Sequence, residues 1–193
     1  MQRFILIETK EKMEIHESMI TSLFSEVLHI DHTKLEPYRL WIFFSHELDF
    51  SLKDVIINLS QDTLLDVRLY ESHAYEMNYN LQGCIRFIEN QIDRINFNKY
   101  TYIDNHILVK HFIHDLDDQF KSFIFQKYNE DQLMKETIKI FLESNQNISH
   151  AAKSLFIHRN TLTQRLEKFY QVTGFDPKKF MDGFLIYALL ITH

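Results

Sequence analysis

The sequence predicts an α+β fold, in which an N-terminal domain of α/β type (residues 1–127) is followed by an all-α domain (residues 128–193). Two observations lead to this prediction. Strand and helix patterns alternate up to about residue 104, and no strand pattern follows that point. In addition, 45% of the 193 residues are hydrophobic and 25% are charged, so both parts have enough apolar side chains for a packed core.

Four segments of the first domain have the composition of strands. The segment RFILIE (3–8) is short and apolar, and YRLWIFFS (38–45) is almost continuously apolar, which predicts a strand buried on both faces. The segment LLDVRLY (64–70) alternates apolar and polar residues, as a half-buried strand does. The segment KYTYID (99–104) completes the predicted sheet.

The rest of this domain shows the periodicity of amphipathic helices, with apolar residues three and four positions apart. These predicted helices cover residues 11–29, 49–59, 74–95 and 105–127. Cys84 falls on the apolar face of the third helix, which favours a buried inert thiol over a redox-sensing one.

The composition excludes several classes of function. The chain has three glycines, none close to another, whereas phosphate-binding loops of the Walker and dinucleotide types need clustered glycines. A single cysteine excludes an intrachain disulfide and a thiolate zinc cluster. The first residues do not resemble an export signal, and the longest apolar run (184–191) is too short for a membrane span. We therefore expect a cytoplasmic protein that does not insert in membranes and needs no cofactor.

Charge is unevenly distributed along the chain. Residues 1–143 carry 15 Lys/Arg and 24 Asp/Glu, a net charge of −9, whereas residues 144–193 carry six Lys/Arg and three Asp/Glu, a net charge of +3. A basic segment behind an acidic domain indicates an anionic partner for that segment.

The C-terminal segment predicts three short helices in succession. Residues 131–144 form the first, with Leu133 among its inward residues. Ser149 is the expected N-cap of a second helix over residues 150–156. After a tight break at 157–158, a third helix runs from about residue 159 to residue 173, where Gly174 ends it.

The second and third helices have the pattern of a helix-turn-helix. Small and apolar residues form a miniature core: Ala151, Ala152, Leu155, Ile157, Leu162, Leu166 and Phe169. The opposite face of the third helix collects side chains that can hydrogen-bond: Asn160, Thr161, Gln164, Arg165 and Lys168. Such a helix could lie in the major groove of DNA, where Arg reads guanine and Asn or Gln reads adenine. It could equally be a polar surface helix that binds nothing.

The segment NISHAAKSLFIHRNTLTQRLEKFYQVTGFD (147–176) resembles the C-terminal helix-turn-helix of PucR/CdaR-type bacterial transcription regulators, a relative of the Fis-type DNA-binding module. The flanking helices extend the resemblance to about residues 130–190, a third of the chain. The resemblance implies a transcription regulator, not an enzyme, that binds double-stranded DNA. Because one recognition helix binds weakly, we expect a homodimer.

The same resemblance assigns the candidate DNA-binding positions. They are Ser149, His158, Arg159, Asn160, Thr161, Thr163, Gln164, Arg165 and Lys168. Among them, Arg159 and Arg165 would contact phosphate or guanine. The sequence departs from the family pattern in two places, since Thr163-Gln164 replaces a common Arg-Tyr pair and Gly183 stands where a charged residue is expected early in the last helix.

The family often carries a degenerate GGDEF-like domain ahead of this module, and the order of strands and helices in residues 1–127 is compatible with one. No GGDEF-type glycine–acid turn is present, so we expect no cyclase site there. The implied roles are dimerisation, partner binding or the sensing of a small-molecule effector of unknown identity.

Two groups of histidines were weighed as metal ligands. His106, His111 and His114, with Asp115 and Asp118, form one pattern on the predicted helix 105–127. His111, His114, Asp115 and Asp118 would share a face of that helix, which makes a divalent metal conceivable, but a polar helix face explains them as well. His29 and His32 flank an acidic residue in a predicted loop. Neither group is specific enough to predict a metal site.

Two alternatives to a DNA-binding regulator remain from the sequence. One is a helix-turn-helix that has lost DNA binding and serves as a protein-docking or dimerisation module, in keeping with the acidic chain and the modest basic patch. The other, a metalloenzyme built on the histidines, lacks any recognisable nucleophile–base pair.

Overall fold

The computed structural model describes residues 1–76 and 80–191, and within them the fold is α+β, as predicted. The strands are β1 (Arg3–Thr9), β2 (His32–Glu36), β3 (Arg39–Phe44), β4 (Val67–Glu71) and β5 (Tyr102–Ile103). The α-helices are α1 (Glu17–Val27), α2 (Leu52–Thr63), α3 (Leu81–Asp93), α4 (Asn105–His111), α5 (Asp118–Phe125), α6 (Gln132–Glu143), α7 (Ile148–Ser154), α8 (Arg159–Thr173) and α9 (Phe180–Ile191). Three 3-10 turns complete the assignment: Met13–Ile15, Phe97–Lys99 and Gln126–Tyr128.

The five strands form one sheet in the order β2-β3-β1-β4-β5. Strand β1 pairs antiparallel with both β3 and β4, β2 pairs antiparallel with β3, and β5 runs parallel to β4. The succession β1-α1-β2-β3-α2-β4, with this strand order, is the ferredoxin-like βαββαβ arrangement.

One face of the sheet is covered by α1 and α2. Period-two alternation places Ile5 and Ile7 of β1 on this face, where they join Ile20 and Phe24 of α1 and Ile56 of α2 in the main core, all fully buried. This core explains why the apolar periodicity of the N-terminal half was readable from the sequence.

The other face of the sheet is aromatic at one end and ionic at the other. Phe4 lies 5.6 Å from Trp41 between ring centroids. At the ionic end the buried Glu8 carboxylate accepts a hydrogen bond of 2.7 Å from Nε of Arg68 and one of 2.9 Å from Nε of Arg39. Arg68 is itself 4% exposed and donates to the carbonyl of Ile95, so its charge is paired and its donors are used inside the protein.

A second polar pair lies on the β4–β5 edge. The hydroxyl of Tyr102 donates a 2.6 Å hydrogen bond to Oε2 of Glu71. Burial raises the pKa of the Glu71 carboxyl, while the hydrogen bond from Tyr102 and the charge of Arg3 act in the opposite direction.

The chain divides into two compact units, Met1–Asn78 with Ile88–Leu108, and Tyr79–Phe87 with Val109–His193. The first unit contains the sheet and the second contains the helices from α5 onward. This division by contacts groups residues 109–127 with the helical part, while the domain boundary at residues 127/128 stays a prediction.

Strand β2 was not predicted, because its sequence HTKLE shows no apolar alternation. His32, Thr33, Lys34 and Leu35 are all exposed, and Leu35 is the one apolar residue of the strand. His32 opens this edge strand and stacks on Phe43, with ring centroids 4.2 Å apart, so it does not lie in the predicted loop. Strand β3 has the expected burial on both faces, since every residue from Leu40 to Phe44 is buried.

Two predicted helices differ from the structure. The helix predicted over 74–95 begins only at Leu81, because Tyr75 instead exchanges backbone hydrogen bonds with Gln2; the part of that prediction at 77–79 lies outside the described residues. Cys84 is buried on α3, as expected.

The helix predicted over 105–127 is interrupted. Helix α4 ends at His111, and α5 starts only after Asp117, whose carboxylate caps it by accepting from the amides of Gln119 and Phe120. The predicted common face of His111 and Asp118 on one helix is therefore wrong. No group of three or more His, Cys, Asp or Glu side chains among residues 1–76 and 80–191 is placed to hold a metal ion.

Candidate nucleic-acid interface

Helix α6 supports the helix-turn-helix. Its N-cap is Asp131, whose carboxylate accepts from the amide of Met134 at 2.9 Å. The inward residues are Met134, Thr137, Ile138 and Phe141. Leu133 was predicted to point inward but is 57% exposed. The buried side of the helix begins at Met134, and Leu133 lies about 100° around the helix from it.

Helix α7 is capped by Asn147, not by Ser149. The Asn147 side chain accepts from the amide of His150 at 3.0 Å, so the helix starts at Ile148, two residues before the predicted start. Ser149 is consequently inside the first turn and exposed, and its predicted capping role is wrong. Its assignment as a DNA-binding residue stays a prediction.

The turn between α7 and α8 contains a non-glycine residue in left-handed conformation. Phe156 has φ 55°, which allows the amide of Ile157 to reach back to the carbonyl of Ala152 at 3.0 Å. This six-to-one bond is that of a Schellman motif, in which glycine is the usual residue at the left-handed position. The Phe156 side chain is 96% exposed.

Helix α8 has the predicted bounds. His158 is its N-cap and accepts from the amide of Asn160 through Nδ1 at 3.2 Å. Gly174 ends it with φ 77°, and its amide bonds to the carbonyl of Tyr170 at 2.8 Å. The recognition-helix candidate therefore spans four turns between two defined caps.

The miniature core predicted beneath α8 is present. Leu162, Leu166 and Phe169 are fully buried, and Ala151 and Ala152 of α7 are 0% and 4% exposed. Leu155 and Ile157, predicted in the same core, are half-buried at its edge. The Phe169 ring also contacts Phe125 and Tyr128, with centroids 5.6 and 5.7 Å apart, which extends this core toward α5.

The opposite side of α8 faces water. The exposed candidate residues are His158, Arg159, Asn160, Thr161, Gln164 and Lys168. Thr163 is half-buried, and its hydroxyl donates to the carbonyl of Arg159 at 3.1 Å. Because a helix turns by 100° per residue, the exposed amide side chains Asn160 and Gln164, four positions apart, lie on one line beside the cationic Lys168.

Arg165 occupies a different position from the other candidates. It is half-buried, and its Nη1 donates a 3.0 Å hydrogen bond to Oγ1 of Thr137 on α6, which is 0% exposed. Thr137 in turn donates to the carbonyl of Leu133 at 2.7 Å. Arg165 thus ties α8 to α6, while the other donors of its guanidinium leave room for a contact with phosphate.

The sequence reading missed Thr137. A hydroxyl residue among the inward positions of α6 was a signal that a polar partner would reach it, since buried hydroxyls need hydrogen bonds.

Helix α9 closes the module by packing close to the end of α6. A Cβ on Gly183 would lie 2.9 Å from Cδ2 of Leu142 and 3.1 Å from the carbonyl oxygen of Pro177, so glycine permits this approach. Asp182, 5% exposed, accepts from the amide of Asp176 at 2.9 Å, and Gln146 donates to the same Pro177 carbonyl at 2.8 Å. The helix already starts at Phe180, three residues before the glycine that departs from the family pattern.

No helix in the described part of the chain has both the length and the apolar character that a membrane crossing requires.

Comparison with known proteins agrees with this architecture. Residues 134–191 match the model of the PucR C-terminal helix-turn-helix domain. The purine catabolism regulatory protein of Bacillus subtilis (strain 168) is 43% identical over 49 residues, which cover 25% of this chain and 9% of that protein. The carbohydrate diacid regulator of Escherichia coli (strain K12) is 38% identical over 58 residues, which cover 30% of this chain and 15% of that protein.

A longer match extends beyond the C-terminal module. The uncharacterized protein YxkF of Bacillus subtilis (strain 168) is 26% identical over 140 residues, which cover 69% of this chain and 47% of that protein. The chain spans less than half the length of each of these three relatives. Residues 134–191 therefore form a PucR-type C-terminal helix-turn-helix domain, through which the chain is related to the PucR/CdaR-type regulators.

Proposed function

We propose that the protein is a DNA-binding transcription regulator whose helix α8 lies in the major groove. The observation that carries this proposal is the two-sided nature of α8. Its apolar side is fully buried at Leu162, Leu166 and Phe169, while the amide side chains of Asn160 and Gln164 and the cationic side chains of Arg159 and Lys168 are exposed. An exposed polar side is common to surface helices, and what supports DNA binding is that Asn160 and Gln164 lie one turn apart beside the cationic Lys168.

The chemistry of the exposed side matches that of a DNA duplex. The amide groups of Asn160 and Gln164 can bond bidentately to the N6 and N7 atoms of adenine. Arg159 and Lys168 carry positive charges suited to phosphate or guanine. The N-terminal turn of α8 is also exposed, and the positive end of the helix dipole there attracts phosphate. The net charge of +3 on residues 144–193 supports the same partner.

For the first unit we propose a regulatory role without catalysis. We interpret this unit as a degenerate GGDEF-like domain. Its proposed role is to sense an unknown effector or to contact a second copy of the protein. The ionic group of Glu8, Arg68, Arg39 and Asp93 supports a structural reading. Glu8 pairs with both arginines and Asp93 pairs with Arg39, so the two acidic and two basic charges compensate one another within the unit. A cytoplasmic location follows from the proposed function and stays a prediction.

The alternative is a helix-turn-helix that docks another protein and does not bind DNA. The net charge of the whole chain, −6, favours this docking module, because a negatively charged protein is repelled by the phosphates of DNA at long range. The two functions differ in their dependence on salt, because DNA binding releases counterions and apolar docking does not.

The test begins with selection of bound fragments from a genomic DNA pool, followed by titration of one enriched fragment at several salt concentrations. DNA binding predicts that the logarithm of the association constant falls linearly with the logarithm of salt concentration, with a slope close to the number of phosphates neutralised. No enrichment, or an affinity that does not change with salt, would favour the docking module.

Two variants assign the roles on α8, and a third serves as control. Gln164→Ala is expected to weaken binding by about 1–3 kcal/mol on the selected site and to relax its sequence preference. Lys168→Ala is expected to weaken all duplexes alike and to reduce the salt slope by about 1. Lys53→Ala removes the same charge from the exposed side of α2 and should change neither quantity.

A further inference from the structure

Helix α9 carries an exposed apolar stripe that the helix-turn-helix does not use. Phe180 is 75% exposed, Phe184 48% and Ile191 56%, and with the half-buried Tyr187 they follow spacings of four, three and four residues. That spacing places them on one side of the helix. Leu185, Ile186 and Leu189 face the other way and are buried, so the stripe is in excess of what folding of the module requires.

The stripe is large enough to form the centre of an interface. With about 200 Å² for a fully exposed Phe, Phe180 and Phe184 alone leave roughly 250 Å² of apolar surface in water. Met181, 44% exposed, and Ile191 bring the total to roughly 400 Å², about half of the ~800 Å² that each partner buries in a standard interface. A groove of about 310 Å³ beside the stripe, between Leu142 and Phe184, offers a recess for an incoming aromatic ring.

The charges around the stripe favour a second copy as the partner. From residue 180 to residue 191 the only charged residue is Asp182, which is buried. Beside the stripe, the exposed Glu143 of α6 accepts a hydrogen bond of 3.2 Å from the Tyr187 hydroxyl, and Nζ of Lys139 lies 4.0 Å from the same carboxylate and offsets its charge. Like-charge repulsion between two copies of the stripe is therefore small. Lys178 and Lys179 stand exposed just before the helix. In an antiparallel pair they lie beside the last turn of the partner's α9, where the helix dipole attracts cations.

We propose that the protein forms a homodimer through antiparallel pairing of two α9 helices about a two-fold axis. The midpoint of the stripe lies between Phe184 and Tyr187, so Phe184 packs against Tyr187 of the second copy. Phe180 packs against Ile191 of the second copy. Each contact then occurs twice, as in any isologous interface.

The mass of the full chain in solution tests this pairing without DNA. The measured mass of the wild-type protein is expected to rise from the monomer value of 23.4 kDa to twice that value as its concentration increases from low to high micromolar. Phe184→Lys is expected to raise the dissociation constant about tenfold or more, since a buried aromatic anchor is replaced by a charge. Leu64→Lys, at a residue 89% exposed in the first unit, is the matched control and should leave the mass unchanged.

Cysteine pairing tests the orientation. Under mild oxidation, a mixture of Phe180→Cys and Ile191→Cys proteins is expected to give a mixed disulfide, whereas neither variant alone gives a crosslinked dimer. Cys84 is buried and is present in every sample, so the wild-type protein serves as the blank. Crosslinking of Phe180→Cys with itself would show parallel pairing and overturn the proposal.

Other outcomes also overturn it. A wild-type protein that stays monomeric at high concentration would exclude a second copy as the occupant of the stripe, and a different protein or a lipid surface would then have to be tested. A Phe184→Lys protein with wild-type circular dichroism and unchanged mass would place the dimer contact elsewhere. Loss of DNA binding alone leaves the proposal intact, because mass and crosslinks are measured without DNA.

Discussion

The contact between Arg165 and Thr137 allows a measurement of how firmly helix α8 is held against α6. The perturbation is a pair of substitutions, Arg165→Ala and Thr137→Val, made singly and together. Valine keeps the shape of threonine at a site that is 0% exposed, while it removes the hydroxyl that accepts from the guanidinium. Arg165→Ala leaves that hydroxyl still bonded to the carbonyl of Leu133, so neither change leaves a buried polar group without a partner.

The size of the expected coupling follows from burial and charge. A hydrogen bond to a charged group contributes about 1.5–3 kcal/mol to stability. The Nη1–Oγ1 distance of 3.0 Å is normal, but Arg165 is only half-buried, so water can solvate the guanidinium when the partner is lost. We therefore expect a coupling free energy at the lower end, about 1.5 kcal/mol.

The assay is urea denaturation of the four proteins, followed by circular dichroism at the helix minimum. The control is Arg159→Ala, at an exposed position of the same helix, for which we expect a change within about 0.5 kcal/mol. If the double variant loses no less stability than the sum of the two single variants, the two side chains do not interact in solution. That result would return Arg165 to the outer face, where the sequence placed it.

Three further substitutions test the core and the ionic groups by denaturation. Ala152→Glu is expected to lower the free energy of unfolding by about 3 kcal/mol or more, because a carboxylate must enter the contact between α7 and α8. Lys153→Glu, at the exposed neighbouring position, should lower it far less, and equal losses would contradict the packing. Glu8→Gln is expected to cost about 3–5 kcal/mol, since Arg68 would stay buried without a counter-charge, and a loss below about 1 kcal/mol would show that it is solvated. The raised pKa of Glu71 means that its protonated form is favoured in the fold, so this stabilisation is present at acidic pH and is lost as pH rises through the folded pKa. Glu71→Gln should therefore flatten the change in stability between acidic and neutral pH, and an unaltered pH profile would refute this.

The sequence predicted the elements whose signals are local. Helix α8 was predicted from about residue 159 to residue 173, as observed, because the apolar spacing of Leu162, Leu166 and Phe169 runs up to a glycine, which the structure places in the left-handed region. Strand β3 was visible as a β-prone apolar run. In both cases burial and backbone preference lead to the same element, and no distant partner has to be known.

The misses have a common physical cause, which is that a distant or competing group decides the outcome. Strand β2 exists because its backbone pairs with β3, and the exposed segment HTKLE has no apolar pattern to show it. Asn and Ser are both favoured at N-caps, so residue type alone did not show that Asn147, whose side chain accepts from the amide of His150, caps α7 in place of the predicted Ser149. Arg165 looked like an outer-face residue until α6 supplied Thr137 as its partner.

The link from Arg165 to Thr137, together with the two caps of α8, has a consequence for selectivity. In the proposed DNA complex, a helix tied to α6 at Arg165 and capped at both ends resists a change of its angle on an imperfect duplex. On docking, only a few surface rotamers are frozen, at about 0.5–1.5 kcal/mol each. The remaining adjustment then falls on the nucleic acid, so base steps that bend easily would be favoured even where no side chain touches them.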